Sequence, residues 1–235
     1  MPKVTNETGH VVYSAFWIGL DGDGLNYASC VCADLVQDGT EQNFTDTEVW
    51  QGTLWGYKHY YFSTYYAWTE FLPQQKSEQV VSSFPIHPGD EIYSELWVAT
   101  PCSSSGGVPL PCWPYPSAGG SYAYFEIENL TTSQHTVIPV PRGTTDVGGY
   151  EAEWIMERPT VNGSLPDLAD YGTTFMYDAY ALTATPAFTT GGQWVSYRGA
   201  NNQLIYMYGS DPVNPISYVQ PVSDYYMEFF WQGYR

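Results

Sequence analysis

SYAYFEIE, residues Ser121–Glu128, alternates with a period of two. Ala123, Phe125 and Ile127 fall on one side; Tyr122, Tyr124, Glu126 and Glu128 fall on the other. That spacing is the signature of a strand, because successive side chains of extended backbone point to opposite faces. The same pattern recurs. In Glu91–Thr100, Ile92, Leu96 and Val98 oppose Tyr93, Glu95 and Trp97. In Ala152–Arg158, Trp154 and Met156 oppose Glu153, Ile155 and Glu157, and Tyr66, Trp68 and Glu70 share a face. Further strands are predicted at Val11–Leu20, Asp34–Gln37, Tyr65–Leu72, Thr136–Val140, Thr173–Leu182, Gln203–Tyr208 and Tyr225–Gln232. Turn-forming clusters separate them, 22 Gly and 17 Pro punctuate the chain, and no long segment holds a 3.6-residue apolar repeat. An all-β sandwich or barrel follows. The four aromatic–acid strand faces suggest a groove for a polymer, peptide or glycan.

With 235 residues, length alone allows one domain or two small ones, and a single domain spanning residues 1–235 is expected. Pro101–Gly120, rich in Ser, Gly and Pro, reads as an excursion within it. The chain carries 25 Asp+Glu against 7 Lys+Arg, a formal charge of −18. No basic cluster exists to hold phosphates or anionic lipid, so neither nucleic acid nor a membrane surface is an expected partner. Charged residues make up only 14% and aromatics 17%, which excludes a disordered acidic tail. Few bases also mean little cationic self-repulsion in acid, a composition suited to work at low pH. No run of about 20 apolar residues occurs, and Met1-Pro2-Lys3 opens no signal peptide. Cys102 and Cys112 bracket a short loop that a disulfide could close, whereas Cys30 and Cys32 lack the spacing of a zinc pair. Asn6, Asn43, Asn129 and Asn162 begin N-x-[ST] sequons.

Familiar catalytic motifs are missing. There is no G-x-S-x-G and no H-E-x-x-H, and His87, ahead of Pro88-Gly89-Asp90, reads as a turn residue. Asp21–Gly24 (DGDG) begins like a calcium loop but lacks the closing Glu. No metal or cofactor is expected. Carboxylates remain. Glu153 and Glu157 stand ~13 Å apart along a strand, too far for a glycosidase pair, whereas Glu126 and Glu128, ~7 Å apart, would be permissible. One carboxylate could instead activate water against a peptide bond, with a Gln amide donating to the oxyanion without needing charge.

At this level the sequence resembles a family. The blocks FWIGLDGD (Phe16–Asp23), VQDG (Val36–Gly39), YAWTEFLP (Tyr66–Pro73), IHPGDEI (Ile86–Ile92), IENLTT (Ile127–Thr132), EAEWIMERP (Glu151–Pro159), NGSLPDLADYG (Asn162–Gly172) and TF (Thr174–Phe175) occur in the order and approximate spacing of the glutamic peptidases, or eqolisins (peptidase family G1). The resemblance implies a concanavalin A-like sandwich of two large curved sheets, with the cleft on one concave face. It implies a secreted, monomeric acid endopeptidase acting on polypeptide. By the family's motifs, Gln37 and Glu157 are the catalytic pair. Glu157 would be general base and then general acid, and Gln37 would hold the oxyanion. Trp17, Asp21, Asp23, Trp68, Glu70 and Glu153 are implied as substrate-binding residues around them, Glu153 with a structural hydrogen-bonding role as its simpler reading.

The match has gaps. The family's first strand is not seen, Met1–Val4 reading as the end of the second, and the family's Asp before Ala-Trp is Tyr66. The competing functional reading is a noncatalytic carbohydrate-binding module that uses the Tyr/Trp face. A glycosidase built on Glu126 and Glu128 ranks third.

Overall fold

The computed structural model describes residues 1–5, 11–22, 26–27, 30–31, 34–52, 56–99, 101–105, 108–111, 120–145, 147, 149, 151–183, 193–196, 198 and 202–233. The strands in chain order are β1 (Val12–Leu20), β2 (Asn26–Tyr27), β3 (Cys30–Val31), β4 (Leu35–Trp50), β5 (Tyr57–Leu72), β6 (Gln79–Pro85), β7 (Ile92–Ala99), β8 (Pro101–Ser105), β9 (Val108–Pro111) and β10 (Tyr122–Asn129). They continue with β11 (Gln134–Pro141), β12 (Ala152–Glu157), β13 (Asp167–Leu168), β14 (Thr173–Tyr177), β15 (Tyr180–Thr183), β16 (Gln193–Ser196), β17 (Met207–Tyr208), β18 (Pro215–Ser223) and β19 (Tyr226–Trp231). Among the described residues, no helix is long and apolar enough to cross a membrane.

The fold is an all-β antiparallel sandwich. One layer is a six-stranded sheet in the order β12-β1-β4-β5-β6, with β13 joined in parallel to β1. Its inner face is covered by two smaller sheets, β11-β10-β7 and β14-β19-β18-β17. Phe16 and Met156 of the large sheet pack with Ile216, Met227 and Phe229, while Val36 and Phe71 pack with Val98, Ala123 and Phe125. Each contact buries alternate residues of facing strands, the packing that the period-two pattern demands. Val4 is buried in the first of these clusters, and Thr5 bridges to Asp170.

Several boundaries differ from the sequence reading, each for a visible reason. β4 and β5 each run 16 residues, far beyond Asp34–Gln37 and Tyr65–Leu72, and pair along their whole length from Leu35↔Leu72 to Trp50↔Tyr57. The added part of β4 buries Glu41, Gln42 and Asn43, polar residues that break an apolar alternation. They are tolerated because they are hydrogen-bonded: Gln42 Nε2 donates to Thr40 and Asn43 Nδ2 to Glu41, both at 2.8 Å. The segment Thr173–Leu182 is interrupted at Asp178, whose φ is 53°, and becomes β14 and β15. Of Gln203–Tyr208 only Met207–Tyr208 is strand, while β6 and β18 were not anticipated.

The aromatic–acid faces do not form one groove. Those of β5 and β12 lie on the six-stranded sheet, whereas those of β7 and β10 belong to the three-stranded one. On the latter, Trp97 and Tyr124 stack at 5.5 Å and are both buried. Glu126 there pairs with His135 at 2.8 Å and stands in register with Glu95. Two sequons are also closed off. Asn129 is wholly buried, donating to Asp90 at 2.7 Å and accepting from the backbone of Thr131 and Thr132, and Asn43 is buried on β4. Asp23, Cys32 and Cys112 lie outside the described residues, so the expected Cys102–Cys112 bridge and the Cys30/Cys32 pair do too.

Candidate active site

Register places the implied site residues. Across the six-stranded sheet, Glu153, Gly19, Gln37 and Glu70 form one row. Ile155, Trp17, Gly39 and Trp68 form the next, and Glu157, Ala15, Glu41 and Tyr66 the third. Residues two apart share a face, so all three rows lie on the sheet's outer side, opposite Phe16 and Met156. Six of the eight site residues named from the sequence therefore meet on one surface: Gln37, Glu157, Trp17, Trp68, Glu70 and Glu153.

Two glycines make this surface possible. A Cβ on Gly39 would lie 2.2 Å from the Phe16 carbonyl oxygen and 2.6 Å from the Trp17 Cβ, so only glycine lets β4 approach β1 here. A Cβ on Gly19 would lie 2.8 Å from the Trp17 ring, which means that the indole spreads over that bare backbone. Trp17 thus fills the space between the row of Gln37 and the row of Glu157. Trp17 and Trp68 are both buried, and neither indole N–H meets a hydrogen-bond partner of full geometry among the described residues.

Gln37 is held by one neighbour. Its Nε2 donates to Glu70 Oε2 at 2.6 Å, while its buried Oε1 has no partner among the described residues. An Nε2 amide carries two hydrogens. Glu70 therefore fixes the orientation of the amide and leaves one donor for another acceptor. Burial pushes the Glu70 carboxyl above its ordinary value, and the bond from Gln37 offsets part of that.

Glu157 is also raised above the usual carboxylate range. Burial is the main cause; the indole of Trp17 acts against it, and the charges of Glu70 and Glu41 add to it. On a flat sheet Glu157 and Gln37 would be separated by two strands, about 10 Å, and two rows, about 13 Å. Glu153 shares Gln37's own row, with only Gly19 between.

Asp21 is placed differently. It is fully buried with φ 59°, and its carboxylate accepts from the backbone N–H of Gly149 at 2.8 Å and of Glu151 at 3.3 Å. It ties down the approach to β12 and so positions Glu153 and Glu157. Sequence reasoning missed two buried neighbours of the site. Glu41 lies in the row of Glu157, and Asp38 beside Gln37 faces the other way, into the sandwich, where Ser94 donates to it. The signal for Glu41 was its even spacing from Gln37.

Comparison with known proteins agrees with the resemblance read from the sequence. Residues 117–211 match the model of the Peptidase A4 family, a span that includes Glu157 but not Gln37. The fold is similar to aspergilloglutamic peptidase from Aspergillus niger, with TM-score 0.61 and 21% identity over 94% of this chain and 99% of that one. It is similar to scytalido-glutamic peptidase bound to a peptide-based transition state analog, with TM-score 0.62 and 18% identity over 99% of this chain and 88% of that one. SCP-B, a member of the eqolisin family solved with the tripeptide Ala-Ile-His, gives TM-score 0.58 and 17% identity over the same shares. Among curated proteins no sequence matches.

Proposed function

We propose that the protein is a glutamic endopeptidase that hydrolyses polypeptide in acid, with Glu157 and Gln37 as its catalytic residues. The observation that carries this reading is the shared face: a Gln amide oriented by Glu70 and a carboxyl of raised proton affinity stand on one surface, bridged by Trp17. The family-model match and the three structural likenesses support the same reaction class.

The chemistry follows from the groups present. Ionised Glu157 takes a proton from water as that water attacks the scissile carbonyl carbon. Its raised pKa makes the ionised form a stronger base than an ordinary carboxylate, although in acid that form is the minor one. The free Nε2 hydrogen of Gln37 meets the oxyanion of the tetrahedral intermediate. Protonated Glu157 then returns its proton to the leaving amine. A Gln donor keeps its hydrogens at every pH, whereas a His in this place would titrate. Trp17 and Trp68 form the buried aromatic floor on the row between the two catalytic groups. Secretion and action as a monomer belong to this reading. The test is digestion of denatured protein at pH 2–5 by wild type, Glu157→Gln and Gln37→Ala. Cleavage by wild type alone supports the assignment; equal cleavage by all three, or none by any, refutes it. Binding of polysaccharide without any cleavage would favour the carbohydrate module instead.

A further inference from the structure

The turn between β5 and β6, residues 73–78, ends in Glu78. The Tyr66 hydroxyl donates to Glu78 Oε1 at 2.9 Å. Glu41, only 4% exposed, is the register partner of Tyr66 on the neighbouring strand, and its carboxylate helps raise the proton affinity of both Tyr66 and Glu78. Asn43 Nδ2 supplies Glu41 Oε1 with its other donor at 2.8 Å. The donors can be counted. Two carboxylates are acceptors only, and the tyrosine brings a single proton. Any hydrogen bond between Glu41 and Glu78 therefore needs a proton on one of the two carboxyls.

We propose that Glu41, Glu78 and Tyr66 form a proton-dependent latch, fastening the β5–β6 turn to the sheet face beside Gln37. With one proton between them, the two carboxyls attract. When that proton leaves, two negative charges face each other across a half-buried contact and the turn is pushed away. The surrounding groups sharpen this response. Glu70 on β5 adds negative charge at Glu78, and Glu157 on β12 faces Glu41. Of the basic groups near the turn, Arg142, close through Gly143 and Gln74, donates to the carbonyls of Thr145 and Gly120, and Lys76 is exposed. The proton is held to about pH 7, since Glu78 is raised to about 7 by burial and by Glu41. The latch exists whatever the protein hydrolyses; only its effect on activity rests on the peptidase reading.

Hydrogen–deuterium exchange of residues 73–79 tests it, with rates corrected for intrinsic pH dependence. In wild type, protection of this turn falls by about tenfold or more between pH 5 and pH 8.5, while β10 changes little. In Glu78→Gln, whose amide donates to Glu41 at any pH, protection stays within about threefold across that range. Tyr66→Phe removes one donor and lowers protection already at pH 5, which keeps the idea testable if Glu78→Gln fails to fold. A wild-type turn unchanged by pH overturns the latch, as does an equal loss in Glu78→Gln, or a Tyr66→Phe turn as protected as wild type at pH 5.

Discussion

Raising the pH from 4 to 8 should destabilise this fold, and Asp38 shows why. It is wholly buried between the large sheet and β7; one carboxylate oxygen accepts from the Ser94 hydroxyl, and the other has no partner among the described residues. Burial raises its pKa well above the ordinary value. Glu70, Glu78, Glu95 and Glu157 are raised too, in each case chiefly by burial. The sign is fixed by linkage. Each raised group binds its proton more tightly in the folded state than in the unfolded one, so stability is greatest below the unfolded pKa, near 4. It is lost as pH climbs through the folded values, which for Glu78 means about 7. Glu78 sets a floor for the size. Its rise from 4.5 to about 7 would correspond to about 3.4 kcal/mol for a group sealed from water. Glu78 is part-exposed, and solvent screening reduces this to about 1.5 kcal/mol. For a domain of this length that alone lowers Tm by about 3–6 °C, and the other four groups add in the same direction. The assay is calorimetric or denaturant unfolding at pH 4, 6 and 8. Asp38→Asn retains an acceptor for Ser94 and cannot ionise, so its stability should fall less steeply than wild type. A wild type more stable at pH 8 than at pH 4, or an Asp38→Asn slope equal to wild type, would refute the reasoning.

Other expected outcomes follow from the same contacts. Glu157→Gln should lower kcat by about 10²–10⁴ on a peptide substrate while raising Tm at pH 7, because it removes a buried charge. Gln37→Ala should cost about 10²–10³ in kcat with little change in KM, the pattern of a donor used mainly in the transition state. Gly39→Ala should be destabilised by about 3 kcal/mol or fail to accumulate, since its methyl would meet Phe16 backbone at 2.2 Å; thermal denaturation measures this. Asp21→Ala should lower activity without removing a reacting group, by loosening the entry to β12, and hydrogen exchange at Gly149 and Glu151 should rise with it.

Much of this was readable from residue order, and the limits have physical causes. Alternation in Ser121–Glu128 and Ala152–Arg158 located β10 and β12 because their inner residues are apolar. It could not find the far half of β4, where Gln42 is as buried as any leucine but satisfied by hydrogen bonds. Motif spacing selected Glu157 and Gln37, and strand register then put them on one face. Spacing could not foresee that Asp21 spends its carboxylate on the backbone of Gly149 and Glu151, contacts about 130 residues away in sequence. Nor could it join Glu41, Tyr66 and Glu78, which come together only through the pairing of β4 with β5 and the turn that follows. The face patterns of β7 and β10 were right as patterns, but which sheet owns a strand is decided by pairing partners, and alternation does not encode those.

The most direct measurement compares kcat/KM of Glu157→Gln and Glu153→Gln with wild type on one peptide at acid pH. Both carboxylates come from β12 and point to the same side, but Glu153 shares Gln37's row while Glu157 lies beside Trp17. The expected result is a loss of about 10² or more for Glu157→Gln and of less than about tenfold for Glu153→Gln. The reverse ranking, or two equally active variants, would contradict the assignment of Glu157 as the base.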